Sequence, residues 1–105
     1  MESKQSSVIS TLLKELMNSH WPKCNSLAQM LADHETDEAR DALVVALGAK
    51  RHHVRTAVIR ALVQLGDPAV IDSIRPLVND PAYETRVEAK NAVGSLEQRE
   101  TKEQE

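Results

Sequence analysis

The side chains with the widest chemical range in this sequence are His20, His34, His52, His53 and Cys24. Imidazole and thiolate bind divalent transition metals, but a centre needs donors that converge, such as two histidines one turn apart on a helix. His52 and His53 are adjacent, so on a helix they point apart. His20 and Cys24 are four apart, with a turn and Pro22 between them. The spacing predicts no metal site, and the histidines read as polar residues in turns. No nucleophile motif, glycine-rich phosphate loop or metalloprotease helix pair occurs in the sequence. The expectation is a non-enzymatic protein with no catalytic residues and no cofactor.

Two other groups have recognition chemistry. Lys50-Arg51-His52-His53, followed by Arg55 and Arg60, is the most basic local stretch and has the chemistry to touch phosphates. Glu35, Asp37, Glu38 and Asp41 precede it and offset its charge. The second group is aromatic. Trp21 and Tyr83 are the only large aromatic residues, and the chain has no Phe. Either ring can serve as a ledge for a ligand or as a cover over a hydrophobic core, and cover is the commoner use.

These residues need elements to position them. At 105 residues the chain is one domain at most. Its core must come from Leu, Val, Ile and Ala. The net charge of −3 argues against a general nucleic-acid binder, which carries a basic excess on one face. One cysteine excludes an internal disulfide framework and suits a reducing compartment. With no apolar run long enough for a signal peptide or a membrane span, the expected setting is cytoplasmic.

Hydrophobic periodicity predicts about six helices. Residues 1–5 read as a flexible lead-in. Val8, Leu12 and Leu16 mark the first helix, and Leu27, Met30 and Leu31 the second. Ala39, Ala42, Leu43, Ala46 and Leu47 mark the third, which Gly48 stops. Val54 to Leu65 is the fourth, closed by Gly66. Asp67-Pro68 caps and opens the fifth. That helix buries Val70, Ile74, Leu77 and Val78, with Pro76 placed to kink or shorten it. The sixth runs from about Tyr83 to Leu96. Gly94 lies inside it, where close packing accounts for a glycine. Residues 98–105 form a charged tail, either a fraying extension or disorder.

A fixed offset of 31 brings these helices into register. It relates Leu31, Leu62 and Val93; Leu27, Val58 and Ala89; and Met30, Ala61 and Ala92. In the odd-numbered helices it relates Val8, Ala39 and Val70; Leu12, Leu43 and Ile74; and Leu16, Leu47 and Val78. Arg55 and Arg86 stand at the same step, as do Trp21, His52 and Tyr83. The chain is therefore three helical hairpins, about 6–34, 37–65 and 68–96. A single hairpin cannot hide its apolar face, whereas stacked hairpins share one core.

Leu65-Gly66-Asp67-Pro68-Ala69-Val70, then Leu77-Val78-Asn79-Asp80-Pro81, with Arg86 six residues after the turn Asp80, resembles the HEAT-repeat family. The nearest likeness is to the short-period branch named after phycobilisome lyases. The resemblance covers about residues 6–97. It implies an all-α fold, a right-handed α-solenoid of three HEAT-like hairpins, in which the turn Asp and the Arg support the stack. Deoxyhypusine hydroxylase is a HEAT-like enzyme whose repeated His-Glu pairs bind two irons. Here the equivalent places hold Arg55-Thr56 and Arg86-Val87, and the single pair His34-Glu35 sits at a helix end. The resemblance therefore implies no such site.

HEAT-like stacks present their second helices on the concave side, where partners bind. On that side the candidate contacts are Gln29, Arg60 and Asn91, aligned by the same step, with Thr56, Gln64, Lys90 and Ser95 around them. Ile9 and Leu13, on the first helix with no preceding hairpin, either form an exposed apolar patch for a partner or a second copy, or face inward. The reading is an adaptor that binds a protein through its concave face or N-terminal end. The alternatives are a nucleic-acid accessory module using residues 50–60 and, from the branch resemblance alone, an assistant to chromophore attachment.

Overall fold

The computed structural model describes residues 4–104. Helix α1 spans Lys4–Met17, α2 Lys23–Asp33, α3 Asp37–Ala46 and α4 His52–Leu65. A broken fifth segment follows: a 3-10 turn at Pro68–Val70, α5 at Ile71–Ile74, and a second 3-10 turn at Arg75–Asn79. Helix α6 spans Tyr83–Gln104. Helix α4 packs between α2 and α6, while α1 packs on α3. The second helices thus make one continuous layer, and the first helices make the other.

The core lies between the layers and follows the offset of 31. Leu16, Leu31, Leu43, Val58, Leu62, Ile74, Ala89 and Leu96 are fully shielded from solvent. Three positions depart from it: Val78, which is only partly buried, and two in the first hairpin. Val8 is 46% exposed where Ala39 and Val70 are buried, and Met30 is 49% exposed where Ala61 and Ala92 are buried. In hairpins two and three the preceding hairpin covers these positions, and among the described residues no hairpin packs before the first.

The helix ends show which local signals hold. Thr36 caps α3 by accepting from the Ala39 amide at 3.1 Å, and Asp67 accepts from the Ala69 amide at 2.9 Å. Gly66 closes α4 in the left-handed region, φ 69°, with the Arg99 guanidinium lying against it. Its equivalent in the first hairpin is Glu35, also left-handed at φ 52°. Gly48 has no such role, since Leu47 caps α3 in right-handed geometry.

Three expectations are corrected. The fifth segment is not one helix. Pro76 has no amide hydrogen and crowds the preceding turn, so the segment falls into 3-10 pieces, and Leu77 and Val78 are only partly buried. Gly94 is not a close-packing glycine, because a β-carbon there would meet open space. Helix α1 begins at Lys4, inside the expected lead-in; residues 1–3 lie outside the described residues. At the other end, the charged segment after Leu96 continues α6 as an extension.

Candidate functional site at the edge where the second helices begin

Beneath this edge lies a latch between hairpins two and three. Arg55 grips Asp80 with two hydrogen bonds, Nε to Oδ2 at 2.8 Å and Nη2 to Oδ1 at 2.9 Å. Its third nitrogen donates to the carbonyls of Ala49 and Lys50. Asp80 also accepts from the Ala82 amide at 2.9 Å. The Arg55 guanidinium, helped by that amide, holds the Asp80 carboxyl below the usual carboxylate range against the opposing effect of burial. Next to Arg55, Thr56 shares a buried hydroxyl–hydroxyl bond of 2.9 Å with Thr85, and both hydroxyls reach the His52 carbonyl. Thr56 is therefore interior. Its expected place among surface contacts is corrected, because the third hairpin covers it.

The junction between hairpins one and two has different chemistry at the same register. Cys24 stands where Arg55 does, Ala49 where Asp80 does, and Val54 where Thr85 does. All three are buried. The Cys24 Sγ donates to the His53 carbonyl at 3.6 Å. Burial raises this thiol above its usual range.

Above the latch the rings are on the surface. Trp21 is 62% exposed and Tyr83 is 72% exposed. This corrects the expectation that each ring covers its hairpin's core. Cys24, Val54 and Thr85 already close the core below them. The rings form a connected row. Trp21 and His53 have centroids 6.2 Å apart, and His53 and His52 are 4.0 Å apart. His52 Nε2 and His53 Nδ1 each lie 3.8 Å from Glu84 Oε2, next in sequence to Tyr83. Arg86 sits over the Tyr83 ring at 5.6 Å. Adjacent histidines were expected to point apart; instead both rings turn toward one carboxylate on the neighbouring helix. Two shallow grooves open on this edge. One is lined by Asn18, Ser19, His20 and Trp21, the other by Ala49, Lys50, His52, Pro81 and Ala82. The first is lined by hairpin one alone, whereas the second lies between hairpins two and three.

The exposed side of the second-helix layer carries the remaining predicted contacts. Gln29 and Gln64 both donate to Asp33 Oδ1, at 2.9 and 3.4 Å. Arg60 pairs with Glu88 at 3.4 Å. Lys90 and Asn91 are exposed. Ile9 is corrected as a surface candidate: it is 4% exposed, while Leu13 is partly buried against the core. Both lie along a groove between α1 and α3 whose walls are mixed, with Ser10, Lys14, Glu38 and Asp41 beside Ala42 and Val45. Of the basic stretch, Arg55 and Arg60 are held by carboxylates, and Lys50 and Arg51 are exposed.

Two layers of stacked helical hairpins with a conserved spacing of 31 within the chain define an α-solenoid of tandem repeats. A model of the HEAT-repeat family matches residues 9–100, and the chain belongs to that family. A search of curated proteins found no match. HEAT repeats generally mediate protein–protein interaction and are typically non-catalytic. Among the described residues no helix is long and apolar enough to cross a membrane.

Proposed function

We propose that this chain is a non-enzymatic adaptor whose protein partner docks on the ring-bearing edge and extends onto the exposed side of α2, α4 and α6. The observation that carries the reading is the exposure of both large aromatics on one edge. Trp and Tyr are enriched where interfaces concentrate their binding energy, and exposing them without a partner leaves apolar surface in water. Gln29, Arg60, Gln64, Lys90 and Asn91 would form the polar rim of such an interface. On the exposed second-helix side, the Gln29–Asp33–Gln64 and Arg60–Glu88 contacts already satisfy one another, so that side adds specificity more than affinity.

The nucleic-acid reading is weaker, because only Lys50 and Arg51 of its central stretch are left without a carboxylate partner among the contacts above. The chromophore-attachment reading rests on the branch resemblance alone, and no residue of the site bears on it. Affinity capture from extract of the source cells tests the proposal. Wild type should recover a protein that a Trp21→Ala, Tyr83→Ala double variant loses and that an Arg60→Glu, Asn91→Lys variant retains in part. Equal recovery by wild type and the ring variant would sink the edge as the docking surface.

A further inference from the structure

We propose that His52, His53 and Glu84 form a binding site for a borderline divalent transition cation of the Zn2+ or Ni2+ type. Three donor atoms from two helices lie within 4.8 Å of one another. His52 offers Nε2 and His53 offers Nδ1, so the adjacent residues reach one point by different lengths. Both nitrogens are 3.8 Å from the same Glu84 oxygen. That distance is too long for a hydrogen bond. Around a tetrahedral Zn2+ with bonds of about 2.0–2.1 Å, donors stand about 3.3 Å apart. The two His–Glu separations need a contraction of roughly half an ångström and the widest donor spread, up to 4.8 Å, one of about 1.5 Å, and both fall on side chains that are 43%, 44% and 58% exposed.

The support under the donors is firmer than the donors themselves. The His52 carbonyl accepts from Thr56 and Thr85, and Thr85 directly follows Glu84. The Thr56–Thr85 bond fixes the first turn of α4 against the first turn of α6. The Arg55–Asp80 pair ties the same two hairpins together a short way off and neutralises the nearest buried cation. Backbone positions held this way let the donors close on a metal without moving either helix. Two imidazoles and one carboxylate favour Zn2+, Ni2+ or Cu2+ over Mg2+ or Ca2+. Three protein donors leave one position open, facing solvent on the partner edge. The site does not depend on the docking reading, because its test reads metal binding alone.

Titration calorimetry of the full chain with ZnCl2 is the test. One Zn2+ should bind per chain, and Mg2+ should give no signal. His53→Ala and Glu84→Gln should each weaken Zn2+ binding at least about tenfold, while His20→Ala and His34→Ala match wild type. In wild-type protein, Zn2+ should shift the imidazole resonances of His52 and His53 and leave those of His20 and His34 in place. This second readout holds whether or not a variant folds. Absence of Zn2+ binding in wild type, equal affinity in Glu84→Gln, or shifts centred on His20 or His34 would overturn the assignment.

Discussion

The two hairpin junctions share one backbone register and use opposite chemistry. Between hairpins two and three, Arg55 meets Asp80 and Thr56 meets Thr85, so the contact is ionic and hydrogen-bonded. Between hairpins one and two, the same places hold Cys24, Ala49, Asn25 and Val54, and the contact there is mostly apolar. The first junction stacks by apolar burial with the Cys24–His53 and Gln64–Asp33 hydrogen bonds, and has no bidentate pair at this register. The polar latch adds direction instead, since a bidentate pair fixes the angle at which two helices meet. It also aligns the first turns of α4 and α6, where Tyr83 and the His-His-Glu cluster sit.

Substitutions can break that comparison in order of size. Leu62→Ala removes a fully buried side chain from the central helix, which both junctions share, and should cost about 2–5 kcal/mol in urea denaturation. Asp80→Ala comes next. It strands Arg55, whose side chain is 13% exposed, and should cost about 3 kcal/mol. A loss no larger than that of an ordinary surface substitution would show that the latch is ornamental. Glu35→Gly acts in the opposite direction. It places glycine in a left-handed position that Gly66 already fills in the second hairpin, and should stabilise by about 0.5–1 kcal/mol. Trp21→Ala with Tyr83→Ala should change stability least, by roughly 0.5 kcal/mol or less per site, since both rings are mostly in solvent.

Acid should distinguish the junctions as well. Asp80 is held below its ordinary range by Arg55, and Asp67 is lowered first by the Ala69 amide and then by Arg40. A carboxyl with a lowered folded pKa stabilises the fold fully above its unfolded value of about 3.9 and loses that stabilisation as pH falls through the folded value. Hydrogen exchange below about pH 4 should therefore open the α4–α6 contact before the α2–α4 contact. Asp80→Asn should remove much of this difference. Uniform opening of both junctions in wild type would contradict it.

How far these features could be read from the sequence depended on whether their causes were local or periodic. The offset of 31 made the columns through Leu62, Val58 and Ile74 legible, and the matching pair Arg55 and Arg86 marked a stacking residue. Val8 and Met30 were misassigned because the offset equates positions by spacing alone, whereas their cover comes from a neighbouring hairpin. Pro76 announced a disturbance but not its extent, which depends on how 3-10 turns trade hydrogen bonds with the neighbouring layer. Thr56 looked like surface on its own helix, and only the third hairpin makes it interior. The His52–His53–Glu84 cluster crosses hairpins, so local spacing could not show it. Yet the same step of 31 aligns His53 with Glu84, and that was the available signal.

The central claim is that the partner sits on the edge that carries the rings. Site-specific photo-crosslinking tests it most directly. A photoreactive amino acid would be placed at position 21, at position 83, or at position 45, an exposed residue on the other helix layer. Positions 21 and 83 should crosslink to the same partner protein, and position 45 should not. Equal crosslinking from position 45, or different partners at 21 and 83, would contradict the account.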